Sequence, residues 1–213
     1  MRIKVCGMTS ADQVLQLDEM GVEFAGFIFY PKSPRYVYKF MPRPAIKKIK
    51  GKSINKVGVF VNAPVEEVLQ TVDDCGLYIV QLHGDETPKY CEKIANYVTV
   101  VKAFRLREED NILWKVKDYQ DVADMFLFDT EGAGYGGTGR KFDWKMLHGL
   151  NIRKSFFLSG GIEPDDIGKL KEFGKDPVAQ DLFSIDVNSK FETSPGIKDM
   201  DKLRDFIISV KQI

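Results

Sequence analysis

Residues 125–144 read MFLFDTEGAGYGGTGRKFDW, a short apolar run that ends in Asp129 and opens into a loop crowded with Gly132, Gly134, Gly136, Gly137 and Gly139. A continuously apolar run of this length is what a parallel strand covered on both faces requires. It places Asp129 at the strand's carboxyl end, where α/β folds build their sites. The glycines allow positive φ and a close backbone approach to a ligand, so the loop is a candidate substrate cover. The bland alternative for the loop is a flexible surface connection beside an acidic helix cap, and for Asp129 an aspartate ionised throughout and paired with a basic residue. The rest of the chain has to decide between them.

Working outward, the same pattern repeats. Strands are expected at 3–6, 24–30, 57–61, 78–82, 98–104, 125–128, 156–158 and 182–187. Helices are expected between them, notably from Ser10 through Met20, over 44–50, 64–74, 87–95 and 108–119, from Asp143 to His148, over 164–173, and over 197–210 at the end. Eight alternations of strand and helix, without a long linker or a break in composition, predict an α/β fold with a single (β/α)8 barrel domain over residues 1–213. The competing architecture, an open doubly wound sheet, is disfavoured because the first strand lacks a Gly-x-Gly-x-x-Gly turn and no Walker-type loop occurs.

Composition narrows the function classes. The 213 residues carry 31 acidic and 31 basic side chains, so no net charge attracts nucleic acid or an anionic membrane. No apolar run approaches the roughly 18 residues needed to span a bilayer. The three cysteines, Cys6, Cys75 and Cys91, form neither a disulfide framework nor a metal-ligand spacing, and no hydrophobic signal segment follows Met1. A reduced, cytoplasmic protein is expected, a monomer or a homodimer. With only His83 and His148 in the chain, a histidine-rich zinc site is improbable.

A barrel of this kind brings the strand carboxyl ends to one mouth, and with them Cys6, Arg35, His83, Asp129, Gly160, Gly161, Asp186, Asn188 and Ser189. Cys6 is a base or nucleophile if its thiol pKa is lowered, and an inert core residue otherwise. Asp129 is an acid if burial or a like charge raises its pKa. Two such groups suffice for an isomerase that works without metal or cofactor. Arg35 follows the stiff Pro31-Lys-Ser-Pro stretch and offers a planar fork to a carboxylate or phosphate. His83 is either a substrate contact or a satisfied structural residue. Ser159-Gly160-Gly161 and Asp186-Val187-Asn188-Ser189 stand after strands seven and eight, where barrels hold phosphate with backbone N–H groups. A phosphorylated small molecule is the expected partner.

The segments KVCGMT (4–9), GFIFYPKSPRYV (26–37), VGVFVN (57–62), QLHGDE (81–86), LFDT with GGTGRKFDW, and LSGGI with SPGIKD span nearly the whole chain. Together they resemble the phosphoribosylanthranilate isomerase family of tryptophan biosynthesis. The resemblance implies a cofactor-free Amadori rearrangement on a (β/α)8 barrel. By it Asp129 is the general acid, Cys6 the general base and Arg35 the carboxylate holder, with the last two loops on the phosphate. The chain departs from the family's expected Asp-Val-Ser-Ser-Gly after strand eight, where it has Asp186-Val187-Asn188-Ser189-Lys190. There Lys190 either adds a charge contact or points outward. Two other readings stand beside this one: a related sugar-phosphate isomerase or epimerase, and a catalytically silent barrel that binds phosphorylated ligands.

Overall fold

The computed structural model describes residues 1–130 and 143–213; the glycine loop and its expected role as a cover lie outside them. Eight parallel strands close on themselves: β1 (Ile3–Val5), β2 (Phe24–Ile28), β3 (Asn55–Phe60), β4 (Ile79–Leu82), β5 (Thr99–Leu106), β6 (Met125–Thr130), β7 (Phe156–Leu158) and β8 (Leu182–Val187). Each pairs with its neighbours in sequence, and β8 returns to β1 with Ile3 opposite Ile185 and Lys4 opposite Asp186. Closure removes every sheet edge and gives the fold its mouth.

Strand alternation sorts the side chains into two layers. Phe24, Val57, Ile79, Val101, Ala103, Leu127 and Phe157 pack together inside the barrel, with the rings of Phe24 and Phe157 edge to face at 5.8 Å. Their neighbours Ala25, Phe27, Val80, Phe126, Phe128, Phe156 and Ile185 face outward into the larger core beneath the helices. That core takes the apolar stripes of α1 (Ala11–Glu19), α2 (Arg43–Lys48), α3 (Val65–Cys75), α4 (Pro88–Ala95), α5 (Ile112–Val116), α6 (Ile167–Phe173) and α7 (Met200–Lys211).

The helix starts follow the side chains that satisfy their free N–H groups. Ser10, Thr87, Asn111 and Asp199 each accept from the backbone N–H two or three residues into the helix. Between β6 and β7 the described residues hold a 3-10 turn, Trp144–Leu147, capped by Asp143.

Several expected helices are shorter than the sequence suggests: that over 44–50 ends at Lys48, that over 164–173 is α-helical only from Ile167 behind a 3-10 turn, and that from Asp143 to His148 is the 3-10 turn just described. The 108–119 stretch is helical only from Ile112, because Asp110 accepts the Arg107 N–H at 2.7 Å and holds a turn ahead of the Asn111 cap. The final helix begins at Met200, not at Ile197. Gly196, at φ 89°, turns the chain into a two-stranded hairpin of β9 (Glu192–Ser194) and β10 (Ile197–Lys198). That hairpin lies against the barrel mouth, with Thr9 Oγ1 donating to Gly196 C=O at 2.5 Å. Among the described residues no helix is long and apolar enough to cross a membrane.

Candidate active site

One cavity opens at the carboxyl ends of the strands, enclosing about 790 Å3 with its mouth included. Cys6, Arg35, His83, Asp129, Gly161, Asp186, Asn188 and Ser189 all line it. Of the residues expected at the site, Gly160 alone is off its wall, although both glycines take positive φ, 94° for Gly160 and 71° for Gly161.

At the floor, Lys4 and Asp186 face each other inside the barrel, Nζ to Oδ2 at 2.9 Å, with the two side chains 1% and 6% exposed. Asp186 was grouped in sequence with the phosphate loop. In the fold its side chain points inward with Ser184, because alternate residues of β8 share the lumen face. Burial pushes the Asp186 carboxyl above its ordinary value despite Lys4, and the facing Asp129 carboxylate adds to the rise. Its Oδ1 is buried without a hydrogen-bond partner.

Cys6 follows Lys4 on the same face of the strand. A Cβ on Gly26 of β2 would stand 2.8 Å from the Cys6 sulfur and 3.2 Å from Lys4 Cε, so that glycine makes the space both side chains occupy. Burial raises the Cys6 thiol above its ordinary value, and Lys4 and Lys198 act against that rise without cancelling it. Burial thus opposes the thiolate here, and Lys4 and Lys198 are the groups that favour it.

Asp129 sits on the opposite wall and is 8% exposed. Its Oδ1 accepts the Thr130 N–H at 2.8 Å, and its Oδ2 lies 3.3 Å from His83 Nε2. That second contact is close enough for charge interaction but misaligned for a hydrogen bond, since His83 Nε2 has no bonded partner. His83 Nδ1 is 2.7 Å from the Gln81 side-chain nitrogen. With Gln81 donating, the ring proton sits on Nε2 and faces Asp129. With the amide turned over, Nδ1–H donates to Gln81 and Nε2 presents a lone pair to a protonated Asp129. The second arrangement holds one more proton than the first, on Asp129, with the ring tautomer and the Gln81 amide turned to match.

Arg35 is 9% exposed and already paired. Its Nε reaches both oxygens of Glu192, at 2.9 and 3.0 Å, and Nη2 reaches Oε2 at 2.6 Å. Among the described residues no hydrogen bond engages Nη1. The arginine is held by this fork as well as by its proline-bounded loop, in which the Ser33 hydroxyl accepts the Arg35 N–H at 3.1 Å.

The two departures after β8 go different ways. Asn188 Oδ1 accepts from Lys198 Nζ at 2.8 Å, while Lys190 lines the cavity mouth and pairs loosely with Glu163 Oε2 at 3.4 Å. Ser189 opens a 3-10 turn, Ser189–Phe191, beside Gly161.

Lys4, Gln81, Glu192 and Lys198 were not anticipated. Lys4 and Gln81 had a signal, since each stands two residues before a candidate on the same strand and so shares its face. Glu192 had none toward Arg35, 157 residues away, and Lys198, although inside the SPGIKD segment, meets Glu192 and Asn188 only through the turn at Gly196.

The comparisons with known proteins agree on one family. The family model described as N-(5'phosphoribosyl)anthranilate (PRA) isomerase matches residues 3–209. A relative from Phocaeicola vulgatus named N-(5'-phosphoribosyl)anthranilate isomerase is 38% identical over 100% of this chain and 98% of its own length. The phosphoribosyl anthranilate isomerase structure from Thermotoga maritima is 33% identical, covers both chains in full and superposes with a TM-score of 0.86. A further structure of the enzyme, in complex with reduced 1-(o-carboxyphenylamino)-1-deoxyribulose 5-phosphate, is 31% identical over both full chains with a TM-score of 0.81. This chain belongs to the N-(5'-phosphoribosyl)anthranilate isomerase family.

Proposed function

We propose that the chain isomerises N-(5'-phosphoribosyl)anthranilate to 1-(o-carboxyphenylamino)-1-deoxyribulose 5-phosphate, the reaction of tryptophan biosynthesis, with Asp129 as general acid and Cys6 as general base. One observation carries the reading: Cys6, Asp129, Arg35 and the loops after β7 and β8 border a single cavity. An acid, a base, a carboxylate holder and a phosphate pocket are what this substrate calls for.

Asp129 gives its proton to the furanose ring oxygen as the bond from C1 to that oxygen breaks. The aryl nitrogen lone pair supplies the new C=N bond, leaving an open-chain iminium. Cys6, as thiolate, takes the proton from C2, and the freed electron pair neutralises the iminium to give an enolamine. Proton transfer from the C2 hydroxyl to C1 then yields the ketone. Neither a net electron nor an external group is needed, which suits a site built from acid–base side chains.

Burial of the Cys6 thiol works against the thiolate this role needs, and the positive charges of Lys4 and Lys198 are what favour it. Arg35 Nη1 takes the anthranilate carboxylate. Backbone N–H groups of the Gly161 and Ser189 loops take the phosphate.

The test is turnover of freshly prepared phosphoribosylanthranilate, followed by loss of its fluorescence. The parent is expected to be active, and Cys6→Ser and Asp129→Asn each to fall by at least about a hundredfold. Near-parent rates in both variants would reject this acid–base pair. An inert parent that still binds the reduced product would favour a silent ligand-binding barrel.

A further inference from the structure

Arg35, Glu192 and Lys198 form a buried charge cluster at the edge of the cavity. Glu192 is the shared acceptor: its Oε1 receives Arg35 Nε, Lys198 Nζ at 2.8 Å and the Gly196 N–H at 3.1 Å, while its Oε2 takes the rest of the Arg35 fork. So tied, the carboxylate cannot turn away from Arg35. Lys198 itself is 3% exposed, and its other side-chain partner among the described residues is the neutral amide oxygen of Asn188, at 2.8 Å.

Two cations share one anion, so the cluster holds one surplus positive charge when both bases are protonated. A buried surplus charge is costly until it is met. The titration directions agree with that shortage of negative charge. Burial lowers Lys198 from its ordinary value although Glu192 opposes it, whereas Glu192, against its own burial, is held low by Arg35 and Lys198. The other titratable groups nearby are Cys6, with Lys4 and Asp186 behind it, and Lys4 and Asp186 already neutralise each other.

We propose that Lys198 is a positioning residue that fixes Arg35 through Glu192 and supplies the surplus charge by which the site selects a ligand bearing an aryl carboxylate. This rests on Arg35 being the carboxylate holder and adds what makes it selective. Because the same ammonium also grips Asn188, beside Ser189, one buried cation ties the carboxylate end of the site to the phosphate loop.

The experiment measures calorimetric affinity for two ligands: reduced 1-(o-carboxyphenylamino)-1-deoxyribulose 5-phosphate, and the same compound with phenyl in place of carboxyphenyl. Lys198→Met is expected to weaken the carboxylate ligand by at least about tenfold, the scale for a broken buried charge pair, and to weaken the phenyl ligand clearly less, through the Asn188 contact alone. Lys198→Arg, which keeps the charge, is expected to recover most of the loss. Equal weakening of both ligands would make Lys198 merely structural, and no weakening of either would remove it from recognition. If Lys198→Met does not fold, Lys198→Gln keeps a donor toward Glu192, removes the charge and carries the same comparison. Arg35→Met separates the two levels: if it weakens both ligands alike, Arg35 is not the carboxylate holder and the foundation fails, whereas selectivity lost in Arg35→Met but kept in Lys198→Met overturns the Lys198 role alone.

Discussion

Lys4 Nζ and Asp186 Oδ2 meet at 2.9 Å inside the barrel, at the seam where β8 closes on β1. Each neutralises a charge that the lumen could not hold alone. Lys4→Met leaves the Asp186 carboxylate buried without its cation, and a loss of about 3–5 kcal/mol of stability is expected. Urea denaturation checks this. The double variant Lys4→Met with Asp186→Leu is expected to recover much of the loss, because the desolvation cost disappears with both charges. If the double variant is as unstable as the single one, the cost lies in packing and not in charge.

Asp18, near the end of α1, ties that helix to the 52–54 loop by accepting the N–H groups of Lys52, Ser53 and Ile54 at 2.6, 2.9 and 2.8 Å. Burial works against the charged form, but these donors and the Ser53 hydroxyl outweigh it and hold the carboxyl below its ordinary 3.8. A depressed carboxylate contributes stability that is fully present above the unfolded value and is lost as pH falls through the folded one. Asp18→Asn is expected to cost about 1–3 kcal/mol near neutrality through unmatched donors. Thermal melts at about pH 7 and about pH 3 should show the gap between parent and variant narrowing at the lower pH. A gap that stays constant would mean the carboxylate charge is not what the loop binds.

Gly7 takes φ 75°, and a Cβ there would stand 2.7 Å from both Arg35 Cδ and Asn188 Oδ1. Gly7→Ala is therefore expected to cost about 1–2 kcal/mol from backbone strain alone and, in addition, to displace the clamp and the loop together. Steady-state kinetics should show a raised KM beyond what the thermal shift explains. An unchanged KM would mean that Arg35 and Asn188 can move aside freely.

His83 faces Asp129 at 3.3 Å while Gln81 holds its other nitrogen. Replacing it by glutamine removes the ring that orients Asp129 and carries the alternative proton. A fall in kcat of about ten- to a hundredfold, with KM little changed, is expected for a displaced acid. A KM effect alone would assign His83 to ligand contact.

The barrel itself was legible because its signals are local. The apolar runs 125–128 and 156–158 are short and recur between amphipathic helices. Period-two alternation then fixes which side chains enter the lumen. The helix over 197–210 was misplaced at its start because the hairpin at Gly196 depends on pairing with Glu192 and on Thr9, both outside any helical window. Asp186 was read as part of a loop when strand alternation turns it inward, onto Lys4.

What the sequence determined alone was therefore the eightfold alternation, the strand ends, and the presence of Cys6, Arg35, His83 and Asp129 at one mouth. Each follows from periodicity and chain order. Tertiary structure alone decided how these groups are held: Arg35 by Glu192 at a separation of 157 residues, and Lys4 by Asp186 at 182. The physical reason is that a buried charge takes whatever counter-charge the closed barrel brings within 3 Å or so of it, and closure joins the two ends of the chain in a way that no local pattern records.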